Sequence, residues 1–144
     1  MKRTLFVTAM VMFGATAVLA QSDAIAQRRA LMKENGKAAQ AIAAMLKGAP
    51  FDLATVQASL KTFVNAAQKA PALFPDDSKT GGDTHALPAI WENKADFNAH
   101  FAKLGDDATA ALATIKDAAS LKATMANFFD DCGSCHQTYR AKLN

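Results

Sequence analysis

The chain has 144 residues, 51% hydrophobic and 20% charged, with a formal net charge of +3 and two cysteines. That length suits one domain with its own core. It holds no basic block and no basic stripe interleaved with aromatics, which excludes a nucleic-acid-binding surface and leaves the charge as a solvated shell.

Residues 1–20 read MKRTLFVTAMVMFGATAVLA. Lys2 and Arg3, an apolar run and a small-residue ending make this a secretory signal peptide. Thr8, Gly14 and Thr16 interrupt the apolar run, which fits a retained membrane anchor less well. The mature chain is therefore read as residues 21–144, one domain with no membrane anchor. Without the leader, 14 Lys and Arg face 13 Asp and Glu, a balance of +1.

Two breaks then divide the chain, Lys47-Gly48-Ala49-Pro50 and the long Pro-, Gly- and Asp-rich stretch from Pro71 to Pro88. A softer one lies at residues 116–120, where Ser120 is placed to cap the last segment. Between breaks, apolar and small residues recur at steps of three and four. The first segment runs Ile25, Met32, Ala39, Ile42, Leu46, with Arg28 and Asn35 as polar interruptions in register. The second runs Leu53, Val56, Leu60, Phe63, Ala67; the third Phe97, Phe101, Leu104, Ala108, Ala111, Ile115. The last runs Leu121, Met125, Phe128, Cys132, Cys135, Tyr139, so both cysteines fall on the inward seam. This is helical periodicity, and no run alternates with period two. The expected fold is all-α, an antiparallel up-down-up-down four-helix bundle.

The chemistry concentrates in the last segment. Secretion puts thiols in an oxidising compartment, yet a Cys132–Cys135 bridge would close too short a loop to restrain the unfolded chain much. Two thiols at i and i+3 followed at once by His136 form Cys-x-x-Cys-His, the attachment signature of haem c. The thiols can form thioethers with the two vinyl groups while the imidazole reaches the iron. The alternatives are a structural disulfide or a metal site; zinc would want four ligands, and His85 and His100 are the only further histidines, with no other cysteine.

Up-down topology starts the first helix at the end where the last one finishes. Counting inward from a start near Asp23 by the distance of His136 from the C-terminus reaches Leu31 or Met32. Met45, 13 residues beyond Met32, would lie roughly 20 Å away at about 1.5 Å per residue. Met32 is thus the candidate for the other face of the iron, against the alternative of plain core packing. The same matching puts Phe63 and Phe101 at haem level. Arg28 and Arg140, each one turn from a candidate ligand, are candidate haem-pocket contacts, and His100 is an alternative sixth ligand. The long loop ending at Pro88 is a candidate cover for a haem edge.

With those residues in hand, the chain resembles the class II c-type cytochromes, the cytochrome c-prime family. The resemblance rests on Arg28-x-x-Leu31-Met32, Phe51-Asp52, Leu73-Phe74-Pro75, Pro88-x-x-Trp91 and Cys132-x-x-Cys135-His136-x-x-Tyr139-Arg140. It implies one covalent haem c with His136 as proximal ligand, a periplasmic home and frequently a homodimer. In the family's c-prime type the iron is five-coordinate and high-spin; in its c-556 type a methionine binds. The stretches LMKENGKAA and LFPDDSK are similar to the c-556 type. The expectation is therefore an electron carrier, not an enzyme, with a six-coordinate low-spin His136/Met32 iron and periplasmic redox proteins as partners. The alternative is a five-coordinate c-prime that binds NO or CO at its distal face.

Overall fold

The computed structural model describes residues 14–142, with side chains from residue 23. The expected leader lies outside the described residues as far as residue 13. Helix α1 (Gly14–Leu46) is followed by α2 (Leu53–Lys69), a short α3 (Ala89–Glu92), α4 (Lys94–Thr114), α5 (Ala118–Met125) and α6 (Phe128–Tyr139). Among the described residues the only β pairing is an isolated antiparallel bridge, Ala86 to Arg140. α1, α2, α4 and the α5–α6 pair are the four rods of an all-α bundle.

The caps explain most boundaries. Asp52 has extended backbone, and its carboxylate accepts from the amides of Ala54 and Thr55, both at 3.2 Å, satisfying two donors that open α2. The cap expected at Ser120 is Asp117 instead. Its carboxylate accepts from the Ser120 amide at 2.7 Å, and the Ser120 hydroxyl accepts from the Asp117 amide at 3.0 Å, a reciprocal box. The last rod, read from sequence as one helix, divides at Ala126–Asn127. Asn127 sits near φ −116°, ψ −4°, outside the helical well, yet Met125 and Phe128 on either side stay buried, so the apolar stripe runs through the break unchanged.

Two core clusters fill the bundle. The larger packs Ile42, Val56, Leu60, Phe63, Leu104, Ala108, Ile115, Leu121, Met125 and Phe128. Here α2 and α4 come close enough that a Cβ on Gly105 would stand 3.0 Å from the Ala67 Cβ. Met45 belongs to this end, its sulfur accepting from the Asp52 amide at 3.4 Å. The smaller cluster holds Ala70, Phe74, Ile90, Phe97, Phe101 and Tyr139, with Leu31, Met32, Trp91 and Cys135 packed against it. α6 lies on α4, whereas α1 meets α2 and α5. A gap is left between α1 and α6 at this second end.

Candidate haem site

That gap is a cleft with two lobes. The first, about 330 Å³, is walled by Arg28, Met32, Phe74, Phe97, Phe101, Cys135, His136 and Arg140, among others. The second, about 250 Å³, adds Asn35, Phe63, His100, Asp131 and Cys132. Met32, Phe101, Cys135, His136 and Arg140 line both. Met32 from α1 and His136 from α6 thus face one space across the bundle.

The helical spacing of α6 sets its three chemical groups. Residues 132, 135 and 136 differ by three and four, so they share one face, and all three side chains are half-buried. Burial pushes both thiols up, Cys135 to about 11, with the charge of Asp131 adding to the rise at Cys132. Thiols held protonated are poor redox nucleophiles, and the pair stands unbridged. Burial, and then the charge of Arg140, lowers the His136 pKa. A neutral imidazole keeps a lone pair for a metal. Among the described residues no group of three or more His, Cys, Asp or Glu stands where it could hold a metal ion by itself.

Arg28 lines the first lobe but spends its donors elsewhere. Its guanidinium donates to the Leu73 carbonyl at 3.1 Å, the Ser78 hydroxyl at 2.8 Å, the Ser78 carbonyl at 3.0 Å and the Thr84 hydroxyl at 2.6 Å. It lies over Phe74 at 4.7 Å from the ring centre, and only 4% of the residue is exposed. Its work is to fasten the loop between α2 and α3, and that loop is part of the wall through Thr84, His85 and Ala86. The loop's far end is tied to the chain terminus, the Leu87 amide donating to the Tyr139 carbonyl at 3.0 Å and the Ala141 amide to the His85 carbonyl at 2.8 Å. Trp91 closes the corner, its indole N–H shared between the carbonyls of Phe74 and Pro75.

Phe63 belongs mainly to the large core, its ring tilted against that of Phe128 with centres 5.4 Å apart, and it also lines the second lobe. Phe101 packs edge-on to Phe97 at 5.2 Å. Arg140 is exposed at the rim. His100 Nε2 lies 3.6 Å from an Asp96 oxygen. The same Asp96 oxygen accepts from the Tyr139 hydroxyl at 2.5 Å, which pushes that phenol up to about 12.

Sequence reasoning missed Ser78, Thr84 and Asp96 as partners, because nothing in a loop's composition says which side chain reaches into it. It also left Asn35 and Asp131 without a role. Asn35 Oδ1 and Asp131 Oδ2 are buried, unpartnered and on the second lobe. The legible signal was the polar break at Arg28 and Asn35 in an apolar seam, where buried polar groups need a reason.

The lining fits a covalent porphyrin: two thiols and an imidazole on one wall, aromatic side chains around them, and cationic side chains with no carboxylate in the first lobe.

Comparison with known proteins agrees. A family profile described as Cytochrome C' matches residues 23–140. Cytochrome c' of Rhodopseudomonas palustris is 55% identical over 94% of each chain. Cytochrome c-556 of Agrobacterium fabrum is 45% identical, again over 94% of each. A solved structure of the Rhodopseudomonas palustris cytochrome c' superposes with a TM-score of 0.82 at 58% identity, covering 85% of this chain and 98% of that one.

Proposed function

The chain belongs to the cytochrome c' family and carries one covalent haem c, and from that premise we propose that it binds NO or CO at a five-coordinate iron. The haem supplies a one-electron redox change and, with one protein ligand, a vacant position for a diatomic gas. Cys132 and Cys135 hold it through thioethers, and His136 is the proximal ligand. Met32, on the opposite wall, is the steric guard of the distal side, and with Phe101 it keeps water out. The carrying observation is that identity is higher to a cytochrome c' than to the c-556 relative of equal coverage. This reverses the preference drawn from the two short stretches, because resemblance over the whole chain outweighs a few residues around Met32.

A second reading keeps the electron carrier with Met32 as sixth ligand. It draws on the c-556 relative and on the position of Met32 and His136 on one cavity. Absorption and electron paramagnetic resonance of the purified haem protein separate the two. We expect high-spin ferric iron, CO binding by the ferrous form, and an unchanged spin state with faster CO binding in Met32→Ala. A low-spin spectrum that turns high-spin in Met32→Ala overturns the first reading in favour of the second. The periplasm is the compartment we assign, from the leader pattern and the family. A homodimer is the assembly carried over from it.

A further inference from the structure

We infer that the Asn35 carboxamide is the hydrogen-bond donor that meets a gas bound at the iron, and so sets how firmly a polarised diatomic is held. This rests on the gas-binding reading above and names the residue that tells one ligand from another.

Of the residues that α1 turns to the second lobe, Met32, Gly36 and Ala39 are apolar and Asn35 alone has a polar side chain. Asn35 follows Met32 by three positions, so it lies on the same face of α1, about 4.5 Å further along the axis. Both belong to the wall across from His136, the side on which a sixth ligand would stand. The cationic side chains of α1 that line the cleft are directed elsewhere. The donors of Arg28 go to the loop, and Arg29 and Lys33 are exposed.

Asn35 Oδ1 is buried and has no hydrogen-bond partner. Such a group is costly and calls for a reason. A haem does not relieve it, because a porphyrin holding iron has no ring N–H left and its ionised carboxylates only accept. The two ends of a carboxamide have nearly the same shape, so a half-turn about the last torsion puts an N–H where the orphan oxygen stands. That N–H then faces a lobe lined by Met32, Phe63, Phe101 and Leu104, an apolar setting in which a hydrogen bond is stronger than in water. An iron-bound diatomic carries partial negative charge on its outer atom and is the matching acceptor. The rival acceptor, Asp131 Oδ2, is also buried and unpartnered, but it belongs to α6, on the His136 wall, and its carboxylate is held by Lys103 through Oδ1 at 2.7 Å. Met32 thus governs entry by bulk, and Asn35 governs departure by a hydrogen bond.

The test is infrared spectroscopy and ligand-release kinetics on the ferrous CO form of the purified haem protein. The C–O stretch should lie lower in the parent than in Asn35→Leu, a substitution of similar volume, because a donor on the outer oxygen deepens electron donation from iron into the ligand. It should shift on transfer to heavy water in the parent and not in the variant. CO should leave Asn35→Leu about fivefold faster, the net worth of one hydrogen bond, with entry unchanged. Asn35→Gln, which keeps the N–H, should recover part of the difference. An unchanged stretch and release rate in Asn35→Leu overturn the proposal, as does a parent stretch that ignores heavy water, a measurement that needs no variant. An unchanged stretch with lost stability overturns it in favour of a structural bridge from Asn35 to Asp131. The gas-binding reading fails separately, on the spin state of the ligand-free parent. If that is low-spin through Met32, the same comparison is made in a Met32→Ala background, where the position is open, and the same outcomes decide.

Discussion

The two ends of this bundle are built from the same rods and the same periodicity, yet one is sealed and the other is hollow. In the sealed end, Ile42, Val56 and Leu60 meet Ile115, Leu121 and Met125 with almost no exposure. At the hollow end the stripes of α1 and α6 face each other across a cleft, and Met32, Cys135 and His136 remain half-buried. What differs is what each stripe meets. Aliphatic side chains together with Phe63 and Phe128 fill the first gap, whereas at the second the aromatic cluster packs beside the space and leaves it open. Apolar patterning therefore specifies that a face points inward and is silent on whether protein or a cofactor lies there.

The sharpest way to break the contrast is a truncation in each end. Leu60→Ala should cost about 3 kcal/mol, since a filled core cannot collapse around the hole. In chemical denaturation Met32→Ala should cost only about 1 kcal/mol, because Met32 is partly buried on the cleft wall whereas Leu60 is fully buried. Equal losses would mean that the cleft wall is as tightly packed as the core. Between these in size lies Arg28→Leu, expected to cost about 2–3 kcal/mol by leaving loop carbonyls and hydroxyls unpaired. Its distinguishing mark is faster amide hydrogen exchange in residues 73–87, with α2 and α4 unaffected.

The smallest effect is on pH dependence. Tyr139, the single tyrosine, is held protonated by its hydrogen bond to Asp96, with a folded value of about 12. A raised folded value contributes stability in full below the ordinary phenol range near 10, lost as pH climbs through about 12. Ultraviolet difference titration should find the phenol ionising late in the parent and earlier in Asp96→Asn. Coincident curves would remove that bond from the account.

Much of this is legible in the sequence alone. The four stripes, the loop at residues 71–88 and the Cys132-x-x-Cys135-His136 triplet are local patterns, and helical periodicity turns them directly into faces. The polar break at Arg28 is visible too, but its meaning is not. Sequence reasoning makes it a candidate haem-pocket contact; the fold sets it in the wall of the first lobe and gives its donors to Leu73, Ser78 and Thr84, which no local pattern names. Those partners lie 45 to 56 positions away along the chain, and nothing local encodes such a meeting. The same holds for Tyr139 with Asp96, 43 positions apart, and for the return of residues 85–87 onto the last residues of the chain.

By itself, then, the sequence determined which residues are helical, which faces turn inward and where thiols and imidazole stand together, because each arises from a repeat of three or four positions. Only the tertiary structure decided that α6 leans on α4 and away from α1, leaving a two-lobed cleft that Met32 and His136 line from opposite rods. That outcome depends on how rods pack at a distance, where side-chain volume and the few long-range hydrogen bonds choose among arrangements that share one pattern.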